Sequence, residues 1–60
     1  MQNTYRKAIT YFYKDGSGYR VESRWVGSNI AYSKTVDTKE IALSIEYAIK
    51  ADPSRYLWKY

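Results

Sequence analysis

The chain has 60 residues, and its 10 lysines and arginines against 6 aspartates and glutamates give a formal charge of +4 at pH 7. The sequence contains no cysteine and no histidine, which excludes a disulfide framework, thiolate chemistry and a structural zinc site. A chain of this length buries about 60% of the surface that its unfolded form exposes, which supports one small core. Residues 1–60 are therefore predicted to form a single domain with no metal or other cofactor.

The longest apolar runs are triplets such as Tyr11-Phe12-Tyr13. They are shorter than the apolar core of a secretory signal and much shorter than a membrane span. We therefore expect a cytoplasmic protein that binds no membrane.

Three strands and two turns are predicted in the first 36 residues. Residues 4–14 are rich in aromatic and β-branched types and end at the turn cluster Asp15-Gly16-Ser17-Gly18. Residues 19–26 alternate with the period of two that is typical of a half-buried strand. The turn Gly27-Ser28-Asn29 leads to a third strand over residues 30–36. Short loops between consecutive strands predict an antiparallel meander.

The hydrophobic period changes at Asp37, which predicts a helix over about residues 38–51. Asp37 is placed as its N-cap, Glu40 completes a capping box, and Val36 with Ile41 is placed as a hydrophobic staple. The apolar helix residues fall in one stripe about 120° wide, which is expected to cover the sheet. They are Ile41, Ala42, Ile45, Ala48 and Ile49.

Pro53 ends the helix, since the residue before a proline disfavours helical backbone. The apolar tail over residues 55–60 then either adds a short edge strand or packs along the helix. The predicted fold class is α+β, a three-stranded antiparallel meander packed on one helix in the order βββα.

Pairing of Tyr13 with Tyr19 in the first hairpin would place alternate residues of the first two strands beneath the helix. These are Ile9, Tyr11, Tyr13, Tyr19, Val21, Ser23 and Trp25. The other residues would form an open face that is mostly basic. They are Arg6, Ala8, Thr10, Phe12, Lys14, Arg20, Glu22, Arg24 and Val26.

The sequence predicts no enzyme. Gly16-Ser17-Gly18 joins two antiparallel strands without the lysine and helix of a phosphate loop. The carboxylates are scattered among turns, sheet and helix, and the serines have no histidine to activate them.

DNA binding through the open face is the first function that this pattern suggests. Arginines at spaced positions can contact phosphates and base edges, while a glutamate can orient an arginine or accept a hydrogen bond from cytosine. The candidate contacts are Arg6, Arg20 and Arg24, with Glu22, the phosphate contacts Lys14 and Lys34, and the apolar contact Phe12.

The alternative is a free-standing protein of the phage or mobile-element type that binds and inhibits a host protein, an enzyme or a defence factor. It would dock through aromatic patches or an exposed strand edge. Leu43 and Tyr47 lie opposite the core stripe of the helix, where the tail either covers them or leaves a docking patch. The candidate contacts are Phe12, Leu43, Tyr47 and Trp58.

Residues 35–42 read Thr-Val-Asp-Thr-Lys-Glu-Ile-Ala, which resembles the T-F-D-T-x-E-x-A stretch of APETALA/ethylene-response-factor DNA-binding domains. Residues 19–24, Tyr-Arg-Val-Glu-Ser-Arg, resemble the W-A-A-E-I-R strand of that family, and Arg6 in Tyr5-Arg6 resembles its first-strand Y-R. The resemblance covers about half of the chain. It implies a three-stranded sheet on one helix that lays its open face in the major groove, with Glu22 and Arg24 on the DNA-facing strand. The arm-binding domains of tyrosine recombinases are similar in shape.

Overall fold

The computed structural model describes residues 7–57. In chain order the elements are β1 (Ala8–Asp15), β2 (Gly18–Trp25), β3 (Ile30–Val36), α1 (Lys39–Ala51) and the short helix α2 (Pro53–Tyr56). The strands form one antiparallel sheet in the order β1-β2-β3, and α1 packs on one of its faces. The predicted α+β fold with a three-stranded meander is confirmed, and β3 has the predicted bounds.

The first hairpin closes through a two-residue loop, Gly16-Ser17, so that Asp15 pairs with Gly18. Gly16 has a φ of +65°, a conformation that favours glycine. Gly18 lies so close to β3 that a Cβ there would collide with the carbonyl oxygen of Val36. Glycine is therefore favoured at position 16 by the backbone conformation and required at position 18 by the lack of space.

The register of this hairpin differs from the predicted one by a single residue. Tyr19 pairs with Lys14, and Val21 pairs with Phe12. Because side chains alternate along a strand, a shift of one residue moves every side chain of β1 to the opposite face. The predicted pairing of Tyr13 with Tyr19 is wrong, and so are the two faces assigned to β1.

The core lies between the sheet and α1. Its buried members are Val21, Val36, Ala42 and Ile49, and the half-buried side chains packed around them are Phe12, Tyr19, Tyr32, Ile45 and Tyr56. Ser23, also fully buried, is the polar exception. Its Oγ lies 2.8 Å from the Thr10 Oγ1 and donates to the Ile9 carbonyl oxygen at 3.1 Å, so its hydroxyl is satisfied.

Helix α1 begins one residue later than its predicted cap implies. Thr38 is the N-cap, and its Oγ1 accepts a hydrogen bond from the Ile41 backbone N–H at 3.2 Å. The prediction that Asp37 caps the helix and forms a box with Glu40 is wrong. With Thr38 as the N-cap, the staple positions move to Asp37 and Ala42, so the predicted staple of Val36 with Ile41 is wrong. Ile41 is 45% exposed and lies outside the core.

The tail packs against the sheet through a ring contact and a hydrogen bond. Tyr56 makes an edge-to-face contact with Tyr32 of β3, with ring centroids 5.7 Å apart. The carbonyl oxygen of the buried Leu57 accepts a hydrogen bond from Trp25 Nε1 at 3.2 Å. Up to residue 57 the tail therefore forms a helical turn that is fixed to the sheet, and it does not add an edge strand. Residues 58–60 lie outside the described part of the chain.

Candidate functional site

The most distinctive surface is the side of the sheet that faces away from α1, which we call the open face. Its side chains follow from the two strand registers. They are Ile9, Tyr11, Tyr13 and Asp15 of β1, Arg20, Glu22 and Arg24 of β2, Val26 after it, and Ile30, Ser33 and Thr35 of β3.

A tyrosine pair and a glutamate occupy the middle of the open face. The rings of Tyr11 and Tyr13 stack with centroids 6.3 Å apart. The Tyr11 hydroxyl donates to Glu22 Oε1 at 2.9 Å, and the Tyr13 hydroxyl donates to Glu22 Oε2 at 3.1 Å. Both carboxylate oxygens of Glu22 are thus already engaged within the face, which leaves less capacity for the base or arginine contact expected of it.

The same contacts raise the pKa of both phenols. For Tyr11 the main cause is the hydrogen bond to Glu22, and for Tyr13 it is desolvation, followed by the bond to Glu22. A phenol whose pKa is raised in the folded state contributes stability below the unfolded pKa of about 10, and this contribution is lost as the pH rises through the folded pKa. The tyrosine pair is therefore neutral and hydrogen-bonded at physiological pH.

Arg20 ties the three strands together at the end of the open face nearest the first turn. Its Nε donates to Asp15 Oδ2 of β1 at 3.0 Å, and its Nη1 donates to Ser33 Oγ of β3 at 3.1 Å. The hydrogen bond and the charge of Asp15 raise the pKa of this guanidinium. Arg20 is held by its own sheet and is exposed only in part.

The opposite end of the open face is apolar, and we call it the apolar end: Ile9, Val26 and Ile30 around Arg24. Arg24 pairs across the sheet with Ile9 on one side and with Ile30 on the other, where a bulge shifts the register of β3. Within residues 7–57, its Nη1 donates one long hydrogen bond of 3.4 Å, to the Ser28 carbonyl oxygen. The guanidinium of Arg24 is therefore surrounded by aliphatic side chains and makes few contacts with this part of the chain.

The predicted basic character of the open face is wrong for residues 7–57. The corrected register brings Asp15 onto this face and removes Lys14 from it. Arg20 and Arg24 are then balanced by two carboxylates, and Lys7, just before β1, is the remaining cation.

The other predicted contacts are distributed over different surfaces. Phe12 is half-buried against the core and meets Tyr19 edge to face, so its predicted place on the open face is wrong. Lys14 lies on the same side as Phe12, with its Nζ 5.6 Å from the centroid of the Tyr19 ring. Lys34 pairs with Val21 and so belongs to the helix side of β3, where it is exposed. Arg6 and Trp58 lie outside the described residues.

Leu43 and Tyr47 are exposed on the outer side of α1, as the helix periodicity predicts. With Glu46 and Lys50 they line a shallow hollow of about 180 Å³. The tail up to Leu57 leaves them uncovered. This small patch is separate from the open face.

Sequence reasoning missed Ile9, Tyr11, Tyr13 and Ile30 as surface residues. The signal that locates the first three is the pair Gly16-Ser17, because a glycine followed by serine between two strands is a typical two-residue hairpin loop. That loop alone fixes the pairing of Asp15 with Gly18 and therefore the faces of β1.

In the described part of the chain, no cluster of three or more acidic residues is placed to hold a metal ion. Neither of the helices there has the length and apolar character needed to cross a membrane. No family model, curated protein or solved structure matches the chain. The resemblance to APETALA/ethylene-response-factor domains therefore stays a prediction based on short motifs.

Proposed function

We propose that the chain is a protein-binding module that docks on another protein through its open face. The observation that carries this proposal is the distribution of exposed apolar side chains. Of the eight large hydrophobic residues that are exposed among residues 7–57, five lie on this face. They are Ile9, Tyr11, Tyr13, Val26 and Ile30. A contiguous exposed patch of this kind typically marks an interaction site.

The layout of the open face also matches that of a protein interface. Interface cores are enriched in aromatic residues and arginine, and the surrounding rim is polar. Here Tyr11 and Arg24 lie beside aliphatic side chains, while Arg20, Asp15 and Ser33 form a hydrogen-bonded border.

Preorganisation supports the same function. Tyr11 and Tyr13 are already fixed by stacking and by their bonds to Glu22. Side chains that are ordered before binding lose less entropy when the complex forms, so they bind more tightly for the same contacts.

The partner surface is expected to be a flat apolar area that presents a carboxylate to Arg24. Such an area on an enzyme or a defence factor would be covered by the sheet, which is the inhibitory action predicted from the sequence. This chemistry suits Arg24 because, among residues 7–57, its guanidinium makes one long hydrogen bond, which leaves donors for a bidentate contact.

DNA binding through the same face is the competing function. It depends on cations that are free to neutralise phosphates. Arg20 is paired with Asp15, and Glu22 is held by two tyrosines. This internal pairing favours a protein partner over a polyanion.

The experiment is affinity capture from the cells that naturally make the protein, with nuclease present, followed by titration of the purified partner. Arg24→Ala removes the centre of the apolar end. Arg55→Ala is the matched control, since it removes the same side chain from an exposed position on α2. We expect Arg24→Ala to weaken binding about 30-fold, corresponding to a hot-spot loss of about 2 kcal/mol. Arg55→Ala should bind like the wild type.

A duplex of mixed sequence tests the competing function in parallel. The proposal is contradicted if the wild type binds this DNA with an affinity that falls steeply with salt, with a log–log slope of about −3 or steeper, and if Arg24→Ala abolishes that binding.

A further inference from the structure

The outer edge of β1 has no strand partner among residues 7–57, because β1 is the first strand of the sheet. The Val26 backbone N–H donates to the Lys7 carbonyl oxygen at 2.8 Å. Along an antiparallel strand, the backbone N–H and C=O groups of successive residues point to opposite sides. Because Lys7 bonds to Val26 on the β2 side, the odd-numbered residues of β1 also point their N–H and C=O groups toward β2. The even-numbered residues, from Ala8 to Lys14, therefore point their N–H and C=O groups outward.

The other edge of the sheet, β3, carries features that protect it from pairing. A bulge interrupts its register, since Ser23 pairs with Tyr32 but Arg24 pairs with Ile30. Lys34 is exposed in the second half of the strand. Bulges and lysines are devices by which natural proteins block exposed edges.

The β1 edge has no bulge over its described length, and its lysine, Lys14, lies at the end of the strand next to the first turn. Its pairing with β2 runs without a register shift from Ala8 to Asp15, and the stretch from Ala8 to Tyr13 carries no charge and no proline. A long, regular and apolar edge of this kind is a template for another strand.

We propose that this edge pairs with the β1 edge of a second copy of the chain, antiparallel and centred on Tyr11. In this register the even-numbered residues of one copy lie opposite even-numbered residues of the other, for example Thr10 opposite Phe12. Their outward-pointing N–H and C=O groups can therefore form the hydrogen bonds of an antiparallel pair. On the open-face side, Tyr11 lies opposite Tyr11 of the second copy and Tyr13 lies opposite Ile9. Asp15 of each copy lies opposite Lys7 of the other copy, so the two-fold symmetry produces two pairs of opposite charges.

The neighbouring registers lose this complementarity. Centring on Phe12 places the Asp15 carboxylate opposite Ile9, and centring on Thr10 places Lys7 opposite Tyr13. Of these three registers, only the one centred on Tyr11 places Asp15 opposite Lys7, which carries the opposite charge, and Tyr13 opposite the apolar side chain of Ile9.

The position of α1 is compatible with this pairing. The helix packs against both β1 and β2, so its axis lies over the pair. With strands about 4.8 Å apart, the helices of the two copies would lie about 10 Å apart, which is an ordinary packing distance for helices. The product is a six-stranded sheet with both open faces on one side. This inference goes beyond the proposed function and does not depend on it.

A cysteine placed at the symmetry axis tests the register, because the natural chain has no cysteine. In Tyr11→Cys the two Cα atoms would lie about 4.5 Å apart across a non-hydrogen-bonded pair, within the range of a disulfide. In Tyr13→Cys, on the same strand and face, the two cysteines would lie about 14 Å apart, at 3.4 Å per residue.

In a glutathione buffer we expect Tyr11→Cys to form a covalent dimer, while Tyr13→Cys stays monomeric. Equal cross-linking of both variants, or none with Tyr11→Cys, would overturn the proposed pairing.

Sedimentation equilibrium measures the molar mass of the wild type and of Tyr11→Lys in solution, and it tests the dimer without a disulfide. The wild type should form a dimer at rising concentration. Tyr11→Lys should stay monomeric with an unchanged circular dichroism spectrum, because two like charges would meet at the axis. A wild type that is monomeric up to millimolar concentration contradicts the dimer. That result would leave the open-face proposal intact, since its test measures binding of a different protein.

Discussion

Substitution of two neighbouring residues, Phe12 and Tyr13, tests the hairpin register on which the open face depends. Phe12 is half-buried against the core and makes an edge-to-face contact with Tyr19 at 6.2 Å. Truncation of a fully buried phenylalanine costs about 3–5 kcal/mol, so half of that cost plus about 0.5–1.5 kcal/mol for the ring contact gives about 2–4 kcal/mol for Phe12→Ala. Tyr13 is 43% exposed on the open face, and Tyr13→Ala should cost about 0.5–1 kcal/mol.

Urea titration monitored by tryptophan fluorescence measures both free energies of unfolding. The total stability of a domain of this size is about 3–9 kcal/mol, so Phe12→Ala is best measured in the cold, with Phe12→Leu as a milder variant. The reasoning is refuted if Tyr13→Ala costs as much as Phe12→Ala, since the predicted pairing of Tyr13 with Tyr19 would then be the correct one.

The remaining predictions concern the helix and the tyrosine pair. Thr38→Ala should lower the free energy of unfolding by about 1 kcal/mol in the same titration, while Asp37→Ala leaves it nearly unchanged, because Thr38 provides the capping oxygen. Ile49→Ala should cost about 2–4 kcal/mol, since its side chain is fully buried, and an unchanged midpoint would show that α1 presents a different stripe to the sheet. Glu22→Gln should lower the pKa of Tyr11 toward its ordinary value, measured from the ring carbon shifts in NMR spectra, and a constant pKa would show that the bond to Glu22 does not form in solution.

The strands and the helix could be predicted from the sequence because turn residues and hydrophobic period act locally. The bounds of β3 follow from Asn29 before it and from the change of period after Val36. Pro53 likewise marks the end of α1, where the Asp52 N–H still bonds to the carbonyl oxygens of Ala48 and Ile49.

The candidate site could be predicted only in part, because a hairpin register is a choice between nearly equal local patterns. Every residue from Ile9 to Tyr13 suits either face of a strand, so the alternation within β1 does not decide which face is buried. The decision comes from the two-residue loop Gly16-Ser17, which pairs Asp15 with Gly18. The choice of N-cap between Asp37 and Thr38 was ambiguous in the same way, since both residue types cap helices well.

Site-specific photocross-linking measures most directly whether the open face binds a protein. A benzoylphenylalanine replaces Ile30, which lies at the apolar end, across the sheet from the β1 edge. The matched control carries the same probe at Leu43 on the outer side of α1, since the two side chains are 42% and 41% exposed. After irradiation in the cells that naturally make the protein, the Ile30 probe should give a discrete, nuclease-resistant adduct with another protein, and Arg24→Ala should remove it. An adduct with nucleic acid at Ile30, or a protein adduct from the Leu43 probe alone, would contradict the assignment of the open face as a protein-docking surface.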